Sequence, residues 1–297
     1  YAKNVKYNTL KTGIKEIDEN VMITTGMMIG ILGSAGSGKT SIANMIVENM
    51  SKSGEHVIFH SMDMFETLIM GKFLSKYTDY SLPEIFSIIE ENRTDQKLET
   101  AFETVKQNLK NVHIDSRTGI TVEDIEQSII NYQEATGVKP RLVVVDYLEK
   151  VHAQFTDPTH RSGYVASKLS DLAKKHDVAL LLLLQPQKSA GDPSEPLLSM
   201  RKVKGSSIIE QDCRVILTMW RPGFNPKNPE NDKYACMAVV KNNMGGLNQF
   251  DFKWNGLRGE IASMTYQEQK EYERILKEIA EKKQEEMEEK KAFDPWS

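Results

Sequence analysis

Met27-Met28-Ile29-Gly30-Ile31-Leu32-Gly33-Ser34-Ala35-Gly36-Ser37-Gly38-Lys39-Thr40 is the stretch of this 297-residue chain from which its fold can be read. The first part is a short apolar run that stops at a glycine, the pattern of a buried parallel strand. The second part is a complete G-x-x-x-x-G-K-T loop, in which glycines let the main chain curl until several N–H groups face one anion. Beyond Lys39 apolar residues return at helical spacing, at Ile42, Met45, Ile46 and Met50. The loop therefore opens a helix whose positive end adds to the anion site. Strand, loop and helix together predict phosphate binding by Gly33, Ser34, Ala35, Gly36, Ser37, Gly38, Lys39, Thr40 and Ser41, with Lys39 on the outer phosphates and the Thr40 hydroxyl on Mg²⁺.

Outward from this loop, strands and helices alternate. Val57–Phe59, Val112–Ile114, Leu142–Val145, Val178–Leu184 and Val215–Trp220 read as strands, and Phe65–Tyr77, Val122–Tyr132 and Val165–Lys175 as helices. Ser81–Leu109 reads as mostly helical, and Tyr234–Lys241 and Gln249–Trp254 as a hairpin around Gly245-Gly246. Such alternation predicts an α/β fold with a largely parallel sheet, whose ligands bind at the carboxyl ends of the strands. The expected division is a linker over 1–24, a motor domain over 25–264, and a charged helix and tail over 265–297. Thr265 and Glu268 form a T-x-x-E capping box for that last helix, and Tyr272, Ile275, Leu276 and Ile279 give it a short apolar stripe. Its second half is either a solvated charge run or a partner-binding tail anchored by Phe293 and Trp296.

Polar residues at the strand tips carry the expected chemistry. Asp146 closes Leu142-Val143-Val144-Val145 and would hold Mg²⁺ together with Thr40. Asp63 follows the Val57–Phe59 strand and is placed to polarise an attacking water, with Glu66 as competitor. Gln185 ends its strand where it would sense a terminal phosphate; as a residue alone it is equally an ordinary strand-end polar group. The Ser189–Ser207 loop carries Arg201, Lys202, Lys204, Gly205 and Ser206 and no aromatic residue. That composition suits contacts to nucleic-acid phosphates rather than base stacking, and equally suits a solvated loop.

Composition narrows the class. Lys plus Arg number 38 and Asp plus Glu 42, for a net charge of −4, which excludes a wholly basic nucleic-acid coat but not a local basic loop. Two cysteines are too few for a disulfide scaffold, and the six histidines show no metal-ligand spacing, so a zinc site is not expected. No apolar run approaches the roughly 18 residues of a membrane span, and no signal peptide is visible. A cytoplasmic setting in a bacterium, or in a phage-infected host, is expected.

Five segments in order resemble the RecA-like motor domain of DnaB-type replicative helicases, including phage members. They are the Gly33–Thr40 loop; His60-Ser61-Met62-Asp63-Met64; Val143-Val144-Val145-Asp146-Tyr147-Leu148; Gln185 in Leu184-Gln185-Pro186-Gln187; and Ser207-Ile208-Ile209-Glu210-Gln211-Asp212. The resemblance implies a RecA-like core and a hexamer that hydrolyses ATP, with Mg²⁺, between subunits. Such a ring pulls single-stranded DNA through its centre and unwinds duplex 5′ to 3′. It implies catalytic roles for Lys39, Asp63, Asp146, Gln185 and Lys241, and DNA contacts at Arg201–Ser206. Tyr7, Leu10, Ile14 and Ile17 would dock on the adjacent subunit. The C-terminal helix and tail lie outside the match; Phe293 to Trp296 there would be a docking peptide for a primase, helicase loader or polymerase. Two positions depart from the pattern. Asp63 stands where the family has a catalytic Glu, and Asn243, in Lys241-Asn242-Asn243, replaces an arginine finger. Either Lys241 alone supplies the trans charge, or Arg221 or Arg258 substitutes, or the ATPase is slow. The departures leave room for a RecA/KaiC-like ATPase that binds DNA or a partner without unwinding.

Overall fold

The computed structural model describes residues 8–155, 157–186, 193–196, 206–224 and 232–293. A two-stranded antiparallel pair, β1 (Thr9–Leu10) and β2 (Ile23–Thr24), brackets helix α1 (Lys15–Asn20). The main body then runs β3 (Met28–Gly33), α2 (Lys39–Lys52), β4 (Val57–Ser61), α3 (Glu66–Thr78), α4 (Leu82–Glu90), α5 (Gln96–Asn108) and β5 (Val112–Asp115). It continues through α6 (Val122–Thr136), β6 (Leu142–Asp146), a 3₁₀ turn at Leu148–Lys150, α7 (Pro158–His176), β7 (Ala179–Leu184) and α8 (Ser206–Asp212). Last come β8 (Cys213–Trp220), β9 (Tyr234–Asn242), β10 (Gln249–Asn255), β11 (Glu260–Ser263) and α9 (Tyr266–Phe293).

Nine strands make one sheet in the order β11-β10-β9-β8-β3-β7-β6-β4-β5. The pairs from β8 to β5 are parallel, and β9, β10 and β11 continue the sheet antiparallel. The parallel strands β3, β4, β6 and β7 are buried along their whole length, as continuous apolar runs covered on both faces must be. Their side chains alternate between two cores. Ile31, Phe59, Val144 and Leu181 pack with α2 and α3 on one face, and Val143, Val145, Leu180 and Leu182 pack with α6 and α7 on the other. The expected mostly parallel α/β architecture is thus observed.

Local sequence sets the boundaries. The Ser81–Leu109 stretch is mostly helical, as expected, and is divided into two helices because Asn92 turns to a positive φ of 50° and Asp95 caps a new start, its Oδ1 accepting the Leu98 N–H at 2.8 Å. Ser81 and Glu84 cap α4 reciprocally, as Thr121 and Asp124 cap α6.

The N-terminal expectation is altered. Leu10, Ile14 and Ile17 are buried in the core of their own subunit, with Val21 and Ile23, and so are not free to dock on a neighbour. Their apolar spacing is satisfied in cis by a lid made of β1, α1 and β2. Tyr7 lies outside the described residues. At the other end, the Thr265–Glu268 capping box forms, and the first half of α9 docks by Tyr272. Its ring lies 4.8 Å from that of Tyr234, and its hydroxyl is 2.8 Å from the Cys236 sulfur. Leu276 is already exposed, which is where the stripe fades. Residues 294–297, including Trp296, lie outside the described residues, and Phe293 ends the helix.

Candidate functional site

The parallel strands deliver their last residues to one edge of the sheet. There β3 leads into the Gly33–Thr40 loop, β4 into Asp63, β6 into Asp146 and β7 into Gln185. Thr40 Oγ1 donates to Asp146 Oδ2 at 2.9 Å across 106 residues of sequence. Lys39 Nζ donates to the main-chain carbonyls of Gly33, at 2.6 Å, and Ser34, at 2.9 Å. The lysine is folded back over its own loop. The hydroxyls of Ser34 and Ser37 are buried in the loop and have no hydrogen-bond partner. Buried polar atoms are ordinarily satisfied, so two orphan hydroxyls in a glycine-rich cradle suit an oxyanion ligand. Glycine is needed at Gly38, where φ is +100° and a Cβ would sit 2.8 Å from Met219 Cε and 2.9 Å from Trp254 Cη2. At Gly33 a Cβ would meet Ser37 Oγ at 2.3 Å.

Charges crowd this edge. Burial pushes the Lys39 ammonium down to about 8, against the opposing pull of Asp146, Glu149 and Asp63. Burial likewise raises Asp146, with the Thr40 hydrogen bond and Lys39 opposing it. Asp63 is half-exposed, and Lys150 Nζ lies 3.8 Å from its Oδ1. The hard oxygens of Thr40 and Asp146, side by side, are a donor set suited to Mg²⁺.

Two site residues escaped the sequence reading. Lys72 on α3 is largely buried and acts on both Asp146 and Asp63; burial lowers its pKa. A helical Lys seven residues before a loop carries no sequence signal of its own. Glu149 lies beside Lys39 and the tip of β7; its position three residues past Asp146 was a usable clue. Arg221 corrects an expectation. It was a candidate to reach a neighbouring subunit. Instead its guanidinium is buried beside its own phosphate loop, donating to the Gly36 carbonyl and, at 2.5 Å, to Asp232 Oδ2. It lies 4.2 Å from the Phe224 ring centroid and 5.1 Å from that of Trp254.

The other candidates are placed as follows. Arg258 is held bidentately by Asp79, at 2.6 and 3.0 Å. Lys241 donates to the Glu210 main-chain carbonyl, and Asn243 is exposed in the turn after β9. Arg201, Lys202, Lys204 and Gly205 lie outside the described residues, and Ser206 begins α8. Beside Ser41 a cavity of about 290 Å³ opens between α2, α3 and the β10–β11 turn, lined among others by Asn44, Met45, Lys72, Phe73 and Leu257. Among the described residues no group of three or more His, Cys, Asp or Glu side chains could hold a metal ion.

The family model of the DnaB-like helicase C terminal domain matches residues 9–263. The chain belongs to that family. Solved structures agree in fold. An ATPase domain of known structure superposes with a TM-score of 0.77 at 18% identity, over 89% of this chain and 96% of that one. A DnaB-like replicative helicase, whose structure describes its interactions with primase, gives 0.74 at 19% identity, over 86% of this chain. The present chain spans 62% of that helicase. A KaiC-like protein, PH0186 from the hyperthermophilic archaeon Pyrococcus horikoshii OT3, gives 0.59 at 14% identity, over 86% of this chain and 99% of that one. A search among curated proteins returns no match. Among the described residues no helix is long and apolar enough to cross a membrane.

Proposed function

We propose that this DnaB-like domain is the motor of a ring-forming replicative helicase, hydrolysing ATP between subunits to move along single-stranded DNA and part the duplex. The observation that carries the proposal is the meeting of Thr40 and Asp146 at 2.9 Å beneath Lys39 and the unpartnered Ser34 and Ser37 hydroxyls. In this reading Gly33–Ser41 cradle the triphosphate, and Lys39 exchanges its two carbonyl partners for the outer phosphates. Thr40 and Asp146 hold Mg²⁺, which when bound would neutralise charge developing on the phosphates. Asp63 orients the attacking water, and Gln185 reads the terminal phosphate. The cavity beside Ser41, near the lower end of the ~300–1,000 Å³ of small-molecule pockets, takes the nucleoside. Lys241 reaches the site of the next subunit. Arg201–Ser206 meet the DNA backbone, and the tail beyond α9 meets a primase, loader or polymerase.

The test is unwinding of a forked duplex with ATP and Mg²⁺. The wild-type chain should displace the strand and hydrolyse ATP faster with single-stranded DNA present, and Lys39→Ala should do neither. Full unwinding by Lys39→Ala would end the proposal. Asp63 favours a second reading, because its carboxylate is one methylene short of the family's Glu and is engaged by Lys150. In that reading the chain is a RecA/KaiC-like ATPase that binds DNA or a partner without unwinding. ATP-dependent DNA binding with no strand displacement would select it, and robust displacement would exclude it.

A further inference from the structure

Lys150 is a loosely held charge on a firm mount. Its main chain closes the 3₁₀ turn Leu148–Lys150, where its N–H donates to the Tyr147 carbonyl at 3.0 Å. Leu148 and Val151 anchor the turn in the core, and the His152 N–H donates to the Ile120 carbonyl at 2.8 Å. The side chain passes the Tyr147 ring, with Nζ 5.7 Å from its centroid, and ends 3.8 Å from Asp63 Oδ1. Both side chains of this pair are about half-exposed, Lys150 at 46% and Asp63 at 50%. At that distance it is an ion pair without a hydrogen bond, and one so exposed contributes little to stability. The cations described above have more to give up. Lys39 donates to two loop carbonyls, Arg221 is closed in by Asp232 and the Gly36 carbonyl, and Arg258 is held by both oxygens of Asp79.

We infer that Lys150 is a catalytic cation acting within its own subunit: its ammonium passes from Asp63 to the terminal phosphate, where it stabilises the developing charge and leaves Asp63 free for the attacking water. The inference rests on the function proposed above. A water held by the Asp63 carboxylate sits roughly 2.6–3.2 Å from it, so the phosphate under attack lies near a lysine that already meets the same carboxylate. The several negative charges of a triphosphate attract the ammonium more strongly than the single charge of Asp63 does. In the step assisted, the water oxygen bonds to the terminal phosphorus, and the bond from that phosphorus to the bridging oxygen breaks with its electron pair leaving on ADP. The proton released by the water goes to Asp63 and on to solvent. Charge on the phosphoryl oxygens is what a positioned cation stabilises in such a transfer. The buried turn fixes where the Lys150 stem starts, while its exposed head has only a weak contact to leave.

The experiment compares Lys150→Met and Lys150→Arg with the wild-type chain in steady-state ATPase, and in binding of ADP alone and of ADP with aluminium fluoride, a mimic of the phosphoryl group in transfer. Lys150→Met keeps the length of the stem and removes the charge. It should lower kcat by about tenfold to a hundredfold, less than the ~10²–10³ of an enclosed donor because Lys150 is half-exposed. KM for ATP should stay within about threefold, the pattern of an interaction made in the transition state. Affinity for ADP with aluminium fluoride should fall about tenfold or more while affinity for ADP stays within about twofold, a split that a merely structural role would not produce. Lys150→Arg keeps the charge and should restore most of both losses. A kcat for Lys150→Met equal to wild type would overturn the inference, and a raised kcat would overturn it by showing that Lys150 only restrains Asp63. Equal losses of affinity for the two ligands would also overturn it. A wild-type chain that hydrolyses no ATP would refute the proposed function itself, whereas an active wild type matched by Lys150→Met refutes the role of Lys150 alone.

Discussion

Replacing Arg221 by Met tests whether the phosphate loop is held from behind. Arg221 is 7% exposed, and its guanidinium spans four partners, the Gly36 carbonyl, the Asp232 carboxylate and the Phe224 and Trp254 rings. Met keeps the apolar stem and some of the ring contact, so the loss is mainly of charge. Removing one member of a buried ion pair costs about 3–5 kcal/mol, because the other is left uncompensated. Asp232 can escape part of this by taking a proton. Burial already raises its pKa, against the pull of Arg221, and one of its oxygens has no hydrogen-bond partner. A loss near the lower figure, about 3 kcal/mol, is therefore expected at pH 7.5. For a domain of this size that is on the order of 10 °C in Tm. Nucleotide affinity should weaken about tenfold, the equivalent of one charge-assisted hydrogen bond, since the Gly36 carbonyl loses the guanidinium that holds it. The double variant Arg221→Met/Asp232→Ala separates the two effects. It removes the stranded carboxylate and should recover more than half of the lost stability, yet it should not recover nucleotide affinity, because the Gly36 carbonyl still lacks its partner. Urea unfolding and titration with a fluorescent ATP analogue measure both quantities. A single variant as stable as wild type, or a double variant no better than the single, would refute the reasoning.

Glu149→Gln should raise stability at pH 7.5 by about 2 kcal/mol, from a pKa raised from 4.5 to about 6 in the folded state. The sign follows because a raised folded pKa favours the protonated form: the advantage of folding with Glu149 protonated is full below pH 4.5 and lost as pH rises through about 6, so the gap between variant and wild type should close on acidification, and a gap independent of pH would count against it. Tyr272→Ala should cost about 3–5 kcal/mol, as large buried aromatics do, and detach α9 from β9, visible as faster amide exchange along 266–280; unchanged exchange there would show that the helix docks by other contacts. Lys241→Ala should lower kcat for ATP while leaving nucleotide affinity within about twofold, and Arg258→Ala should leave kcat near wild type; the reverse ranking would move the trans role to Arg258.

The sheet and the phosphate loop were legible because their signals are local and redundant. The apolar runs Met28–Leu32, Leu142–Val145 and Ala179–Leu184 end in Gly33, Asp146 and Gln185, and a buried parallel strand has only its carboxyl tip free to present polar groups. Once the strand tips are known, the meeting of Thr40 with Asp146 follows from topology. The N-terminal segment misled because Leu10, Ile14 and Ile17 at helical spacing show that a face is buried but not which body buries it. Arg221 misled for a related reason: a basic residue at a strand end looks available to a partner, and only the fold reveals Asp232 and the Gly36 carbonyl closing on it. Lys72 acts on neighbours far away in sequence, so nothing in its own segment marked it out, whereas Glu149 lies three residues past Asp146 and could have been found from that.

The three cations considered for a neighbour's site are all engaged within their own subunit, and their partners rank how readily each could leave. Arg221 would strand a buried carboxylate and a loop carbonyl, and it would take its own phosphate loop with it, so its release would damage the site it came from. Arg258 is exposed, but its planar fork is matched to both oxygens of Asp79, a geometry that a monodentate phosphate contact does not improve. Lys241 donates a hydrogen bond to a single neutral carbonyl, that of Glu210. One such bond contributes only about 0.5–1.5 kcal/mol net, whereas the charge–charge attraction to a triphosphate is strong in a site shielded from water. Glu210 lies in α8, which follows directly on the Arg201–Gly205 segment. In the proposed function, moving Lys241 toward a neighbouring nucleotide would break its hydrogen bond to the helix next to the proposed DNA contacts, a helix that Ile209 still holds in the core.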